Sequence, residues 1–256
     1  MGLPVTAQIL LQRPEYSEAS IASAASNRAG RLAPNTIVTI YGNNLSFITW
    51  AISPQELLNQ SLPTTTPREE VAVRIQGRRM PLFYVSPKQI NALIPADILP
   101  GERSLQVYRE LVAGPAVALR IDGDAPEFFQ MQGGFVAATH ADGRVVNAES
   151  PAEAGHVVVI YGTGFGVLRV AEQGVVVPTR PSEVIRSREY RVKIDGVELP
   201  AESVLYVGVT PGFAGLSQVN LRLPTTLAEN VKIQTGLNEN WSSGEVRLFT
   251  RKSATP

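Results

Sequence analysis

An all-β fold of two tandem immunoglobulin-like β-sandwich domains is predicted by three observations. The run Ile37-Val38-Thr39-Ile40-Tyr41-Gly42 returns as Val157-Val158-Val159-Ile160-Tyr161-Gly162, and Ser86-Pro87-Lys88-Gln89-Ile90-Asn91-Ala92-Leu93-Ile94-Pro95 returns, in the same order, as Gly215-Leu216-Ser217-Gln218-Val219-Asn220-Leu221-Arg222-Leu223-Pro224. The 21 glycines and 19 prolines divide a chain that is 44% hydrophobic, a composition suited to short strands between turns rather than to long helices. A length of 256 residues lets each of two domains bury its own core.

Taken in order, residues 1–20 read as an N-terminal extension. Met1 to Thr6 has no basic region ahead of its brief apolar stretch, so no signal peptide is expected within this sequence. The first domain, 21–124, opens with the small residues Ile21 to Asn27 and a turn at Pro34-Asn35. A strand follows from Thr36 to Tyr41, its near-continuous apolar run predicting burial on both faces or close to it. Ser46 to Glu70 reads as a long excursion with one helical turn at Pro54 to Leu58. Val71 to Gln76 meets Gly77 as Tyr190 to Asp195 meets Gly196, so each copy is expected to hold a hairpin with glycine at its turn.

The Gln-x-Asn strands fix the geometry. Ile90, Ala92 and Ile94 should face one way and Gln89, Asn91 and Leu93 the other, with Val219, Leu221 and Leu223 alternating likewise against Gln218, Asn220 and Arg222. Strands over Ser104 to Tyr108 and about Ala116 to Ile121 close the first domain. Polar turn residues at Asp122-Gly123-Asp124-Ala125-Pro126 mark the boundary, and 125–256 forms the second domain. Two copies are too few for a solenoid, and the Cys-Trp-Cys pin of antibody domains is missing from a chain without cysteine.

Composition excludes more function classes than it suggests. A formal net charge of +0 with 18% charged residues gives no broad positive field for nucleic acid or an anionic membrane. No apolar run is long enough for a membrane-spanning helix. Without cysteine there is no disulfide, thiolate metal site or thiol nucleophile. His140 and His156 lack the neighbours of a closed zinc site or a catalytic base. Gly162-Thr163-Gly164-Phe165-Gly166 follows a strand but precedes the strand-like Val167 to Val170 and Gly174 to Pro178, so it reads as a glycine turn rather than a phosphate loop. Asp122 and Asp124 could offer oxygens to calcium, but a glycine-containing turn is the simpler and preferred account of them. Glu56, Glu69, Glu70, Glu127 and Glu149 can be paired as hydrolytic carboxylates only arbitrarily. Arg186, Arg188, Arg191 and Lys193, with Arg74, Arg78 and Arg79, read as charges guarding strand edges.

Six segments in order resemble the Solibacter-type uncharacterised C-terminal domain family of exported acidobacterial proteins: Ile21 to Asn27, Ala33 to Gly42, Tyr84 to Asn91, Ala125 to Phe129, Tyr161 to Gly166 and Gly212 to Asn220. The resemblance implies two immunoglobulin-like modules, an extracellular or cell-surface location and no catalytic residues to carry over. Asn35 stands where the family commonly has glycine, and the Ser46 to Glu70 excursion is longer than the resemblance leads one to expect.

The expectation is therefore a non-catalytic interaction or spacer module without cofactor or metal, monomeric or part of a longer chain, its partner a protein or glycan. The alternative is a carbohydrate-binding accessory module. Candidate contacts are Trp50 and Trp241, whose ring faces suit sugar C–H surfaces, and Gln89, Asn91, Gln218 and Asn220, which share strand faces in pairs.

Overall fold

The computed structural model describes residues 12–58, 62–169 and 178–253. In its first half lie β1 Ile21–Ser23, β2 Ile37–Tyr41, β3 Trp50–Ala51, the short helix α1 Pro54–Leu58, β4 Val71–Ile75, β5 Arg78–Arg79, β6 Leu82–Val85, β7 Gln89–Leu93, β8 Gly101–Arg109, β9 Val112–Ala113 and β10 Val117–Ile121. The second half adds β11 Glu127–Phe128, β12 Gln130–Met131, β13 Phe135–Val136, β14 Ala138–His140, β15 Val157–Thr163, β16 Arg191–Ile194, β17 Val197–Glu198, β18 Val204–Val209, β19 Ser217–Arg222, β20 Ile233–Leu237 and β21 Asn240–Trp241. The proposed strand over Gly174 to Pro178 lies largely outside the described residues.

Each half is a sandwich of two antiparallel sheets, to which the second half adds the two-stranded sheet β12-β13. The sheet β1-β2-β7-β6-β3 packs Val38, Ile40, Ile90 and Ala92 against Val73, Ile75, Leu105 and Val107 of the sheet β10-β8-β4-β5. A separate core joins Val158, Ile160, Val219 and Leu221, from the sheet holding β15, β19 and β18, to Val192, Ile194 and Ile233 of β17-β16-β20-β21. Period-two alternation puts one side of each strand into these cores.

The two sequence repeats are neighbouring strands in space, with one register. Tyr41 pairs with Gln89 and Tyr161 with Gln218; Ile40 pairs with Ile90 and Ile160 with Val219. A bulge interrupts β6 between Leu82 and Tyr84, as one interrupts β18 between Val204 and Tyr206. The hairpins also match, with positive φ at Gln76 and Gly77 and again at Asp195 and Gly196, the backbone of a type I′ turn. Asn35, at φ 62, occupies the left-handed position that Gly155 fills in the second copy at φ 77, and asparagine tolerates that region better than most residues.

The 1–20 segment is not wholly an extension. Glu15 bridges Asn43, and Tyr16 packs on the first core, its hydroxyl accepting from Val107 N at 2.7 Å and donating to Pro115 O at 2.5 Å. Glu127 and Phe128 hold the corresponding place beside Thr163 and Gly162. These crossings explain the glycine after each repeated tyrosine: a Cβ on Gly42 would collide with Glu15 O, and one on Gly162 would stand 2.5 Å from Glu127 O. The Pro-Glu-aromatic segment is thus a third repeated element.

Candidate functional site

The feature that distinguishes the two copies is the side of β2 and β7 turned away from their own core. Leu93 points outward there yet is only 3% exposed, because Ala214 of the second sandwich covers it together with Ile37, Ile52, Leu62 and Phe83. A Cβ on Gly215 would stand 2.5 Å from Leu93 Cδ1 and 2.8 Å from Ile37 Cγ1, so the β18–β19 loop can lie this close only with glycine. From the opposite side, Thr163 Oγ1 accepts the N–H of Ile37 at 2.9 Å and faces the carbonyls of Asn35 at 3.0 Å and Gly215 at 2.9 Å. The glycine motif is therefore the turn on which one sandwich rests against the other.

Polar contacts extend the junction. Arg28 Nη1 donates to Glu127 Oε1 at 3.0 Å, Ser243 N donates to Glu127 Oε2 at 3.1 Å, and Arg31 Nη1 donates to Trp241 O at 2.6 Å. Burial raises the Glu127 pKa, opposed by Ser243 N–H, Arg28 and Arg31. Asp124 Oδ1 accepts from Asn240 Nδ2 at 3.4 Å, while its Oδ2 is buried without a hydrogen-bond partner. Its carboxyl is likewise pushed up, chiefly by burial. Beside it lies a cleft of about 160 Å³ whose walls include Phe165, Val184, Tyr190 and Leu237, with Arg186 at hand.

Beyond the junction the outward faces carry the same polar constellation twice. Gln89 Nε2 donates to Asn91 Oδ1 at 2.9 Å, and Gln218 Nε2 donates to Asn220 Oδ1 at 2.8 Å. Each bond uses one N–H of the glutamine and the oxygen of the asparagine. The glutamine oxygen and the asparagine NH₂ are left toward a half-buried surface. Tyr41 stands opposite Gln89 and Tyr84 opposite Asn91, as Tyr161 and Tyr206 stand opposite Gln218 and Asn220. The repeated tyrosines are tethered by their hydroxyls: Tyr41 donates to Asn27 Oδ1 at 2.9 Å, and Tyr161 lies 3.2 Å from Thr139 Oγ1.

The tryptophans do not join this arrangement. Trp50 sits on the edge strand β3 and packs partly against the first core. Trp241 is on the edge strand β21 of a different sheet, its ring against Gly236 and 3.6 Å, at the centroid, from Lys193 Nζ. The tyrosines, whose place beside the amides no local sequence pattern shows, are found only once strand register is known.

Other sequence candidates are occupied with structure. Glu56 accepts from Ser53 N and Oγ at 2.8 Å each, and Glu70 accepts from Ser46 Oγ and Phe47 N. Asp122 accepts from Arg120 while Asp124 turns to Asn240, so the two do not converge as calcium ligands. Among the described residues no group of three or more His, Asp or Glu gathers. His140 Nε2 lies 3.1 Å from both Ser150 O and Ser150 Oγ. Arg78 pairs with Asp97, Arg186 with Glu189 and Arg191 with Glu198, and Arg74 lies over Tyr108.

No family model and no curated protein matches the sequence. Among solved structures, the chain is similar to SGBP-B of the Bacteroides ovatus mixed-linkage glucan utilization locus, in complex with a mixed-linkage heptasaccharide. Identity is 11%, covering 86% of this chain and 43% of that one, with a TM-score of 0.33. SGBP-B from a complex xyloglucan utilization locus in Bacteroides uniformis is 11% identical, covering 93% of this chain and 49% of that one, with a TM-score of 0.26. This chain thus spans less than half the length of either.

Proposed function

We propose that this protein is a non-catalytic interaction and spacer module, exported or held at a cell surface, in which two sandwiches act as one rigid unit. The junction carries this reading. A buried hydroxyl, Thr163, bridges both halves, an apolar contact covers Leu93, and Arg28 and Arg31 reach across to Glu127 and to the Trp241 carbonyl. Domain contacts that are small and mobile would not bury the Glu127 carboxylate against a half-exposed arginine and satisfy a strand's first N–H. Of the carboxylates nominated for hydrolysis, Glu56 and Glu70 hold loops and Glu127 holds the junction, which supports a role without chemistry.

The experiment is small-angle scattering with calorimetry on the intact chain. One scattering profile fitted by a single rigid shape and one cooperative unfolding transition are expected. Two well-separated transitions with a scattering profile needing an ensemble would overturn the rigid unit.

A second reading, a carbohydrate-binding accessory module, is favoured by one observation: the uncharged amide and tyrosine face occurs in both sandwiches with the same internal hydrogen bond.

A further inference from the structure

We infer that the two amide faces are paired subsites for one extended, uncharged polyhydroxylated chain, a neutral polysaccharide, lying across the junction between the sandwiches. The inference rests on the carbohydrate-binding reading above and adds where the ligand lies and what it is.

The placement follows from which side chains meet at the junction. Ile37, Leu93 and Tyr41 share the outward side of the first sheet, and two of them, Ile37 and Leu93, touch the loop at Gly215. Thr163 and Tyr161 share the outward side of the second sheet, and Thr163 meets Ile37 N. Outward-face residues of both sheets thus meet at the junction, so both amide pairs lie on faces that run up to it. Gln89 lies four positions from Leu93 and Gln218 three positions from Gly215, at about 3.3 Å per extended residue. Only a chain-like ligand reaches both.

The chemistry selects the ligand class. Each face offers a free amide oxygen, a free amide NH₂ and tyrosine rings, which match hydroxyl donors, hydroxyl acceptors and C–H surfaces respectively. The amide and tyrosine positions carry no ionised group: Lys88 is held on Asn43 Oδ1, and Arg222, on the same strand side as Asn220, stands beyond the amides at the end away from the junction. A protein partner would call for a desolvated apolar anchor pocket, and an anionic polymer for cations on the face itself. The Gln→Asn bond pre-orients both amides, which lowers the ordering cost of binding.

The test uses affinity electrophoresis and titration calorimetry of the full chain against soluble β-glucan, xylan and mannan, with alginate as the charged control. The variants are Gln89→Ala/Asn91→Ala, Gln218→Ala/Asn220→Ala and the isosteric pair Asn91→Asp and Asn220→Asp, each checked for an unchanged melting curve. Binding to at least one neutral polymer is expected, with disabling either face weakening it about 100-fold as avidity is lost, and disabling both abolishing it. Short oligosaccharides should titrate two per chain in the native protein and one in each single-face variant. Binding of alginate alone, no neutral polymer bound by the folded chain, or full binding with both faces disabled overturns the inference. Release of reducing ends would instead overturn the non-catalytic reading, and an ensemble in scattering the rigid one, so the failures are separable.

Discussion

Ile37 gives the first N–H of its strand not to a neighbouring strand but to Thr163 Oγ1, 2.9 Å away in the other sandwich. One hydroxyl therefore completes a β-sheet in one half of the molecule while belonging to the other. Thr163→Val keeps the shape and removes the oxygen, leaving the Ile37 N–H without its acceptor. A loss of about 1–3 kcal/mol is expected in urea unfolding, with Thr163→Ser much closer to the native protein. A valine variant within about 0.5 kcal/mol of the native chain would show that the junction does not depend on this bond.

Glycine positions separate conformational strain from close approach. Gly143 (φ 89) has nothing near its missing Cβ, whereas a Cβ on Gly164 (φ 81) would collide with Ala125 O. Gly143→Ala should cost about 1 kcal/mol, the left-handed backbone penalty alone. Gly164→Ala should cost roughly 3 kcal/mol, since backbone must also move. Equal losses in denaturant melts would mean that the linker yields freely.

The same contrast shows what was legible in the chain. Strand repeats, glycine hairpins and the buried alternation of Ile90, Ala92 and Ile94 were readable, because period and turn chemistry are local. The strand Ile37–Tyr41 is buried in its middle but exposed at Tyr41, where the sequence suggested burial on both faces. Leu93 looked like an outward residue and is buried by a partner sandwich that no local pattern encodes. Pro14-Glu15-Tyr16 and Pro126-Glu127-Phe128 match in sequence too, but three residues are too few to stand out before their common crossing over a glycine is seen. Trp50 and Trp241 drew notice by residue type, while Tyr41, Tyr84, Tyr161 and Tyr206 gain meaning only from register with the amides.

Tyr16 makes the segment before Ile21 testable. Burial, partly offset by the Val107 N–H, pushes its phenol up to about 12. A raised folded-state value means that its contribution is complete below the ordinary tyrosine pKa near 10 and is lost as pH rises through about 12. Stability of the native chain should therefore fall across pH 10 to 12 more steeply than that of Tyr16→Phe. The variant should itself be weaker at pH 7 by about 1–3 kcal/mol because the Val107 N–H loses its acceptor. Parallel alkaline profiles for the two proteins would remove Tyr16 from the first sandwich's stability.

Asp124 and Glu127 give the junction an acid dependence. Both carboxyls are raised chiefly by burial, against the opposing pull of Arg31 on both, with Arg28 on Glu127 and Arg186 on Asp124, while Asp122 adds to the Asp124 rise. With the folded value above the unfolded one, their stabilising contribution is whole below the ordinary carboxylate range and is lost as pH rises through the raised values. Asp124→Asn removes one of these titrations. Denaturation at pH 4 and pH 7 should show the native chain losing more stability on going to pH 7 than the variant, after the shared background is subtracted. An identical pH response in the two would place Asp124 in water rather than in the junction.

The repeat itself supplies the sharpest control, since Leu93 and Arg222 hold one position in two copies. Leu93 lies under Ala214 at 3% exposure, and Arg222 is exposed opposite Val157. The apolar contact that joins the sandwiches is thus not repeated at the corresponding place of the second. Leu93→Arg places a cation in a desolvated contact and must separate the halves or bury the charge. It should cost about 3 kcal/mol or more and split calorimetric unfolding into two transitions. Arg222→Leu changes only an exposed position and should stay within about 0.5 kcal/mol with unfolding still cooperative. If both variants behaved alike, the two positions would be equivalent in environment as well as in repeat position, and the junction would have to be held by Thr163, the Arg28–Glu127 pair and Arg31 on the Trp241 carbonyl.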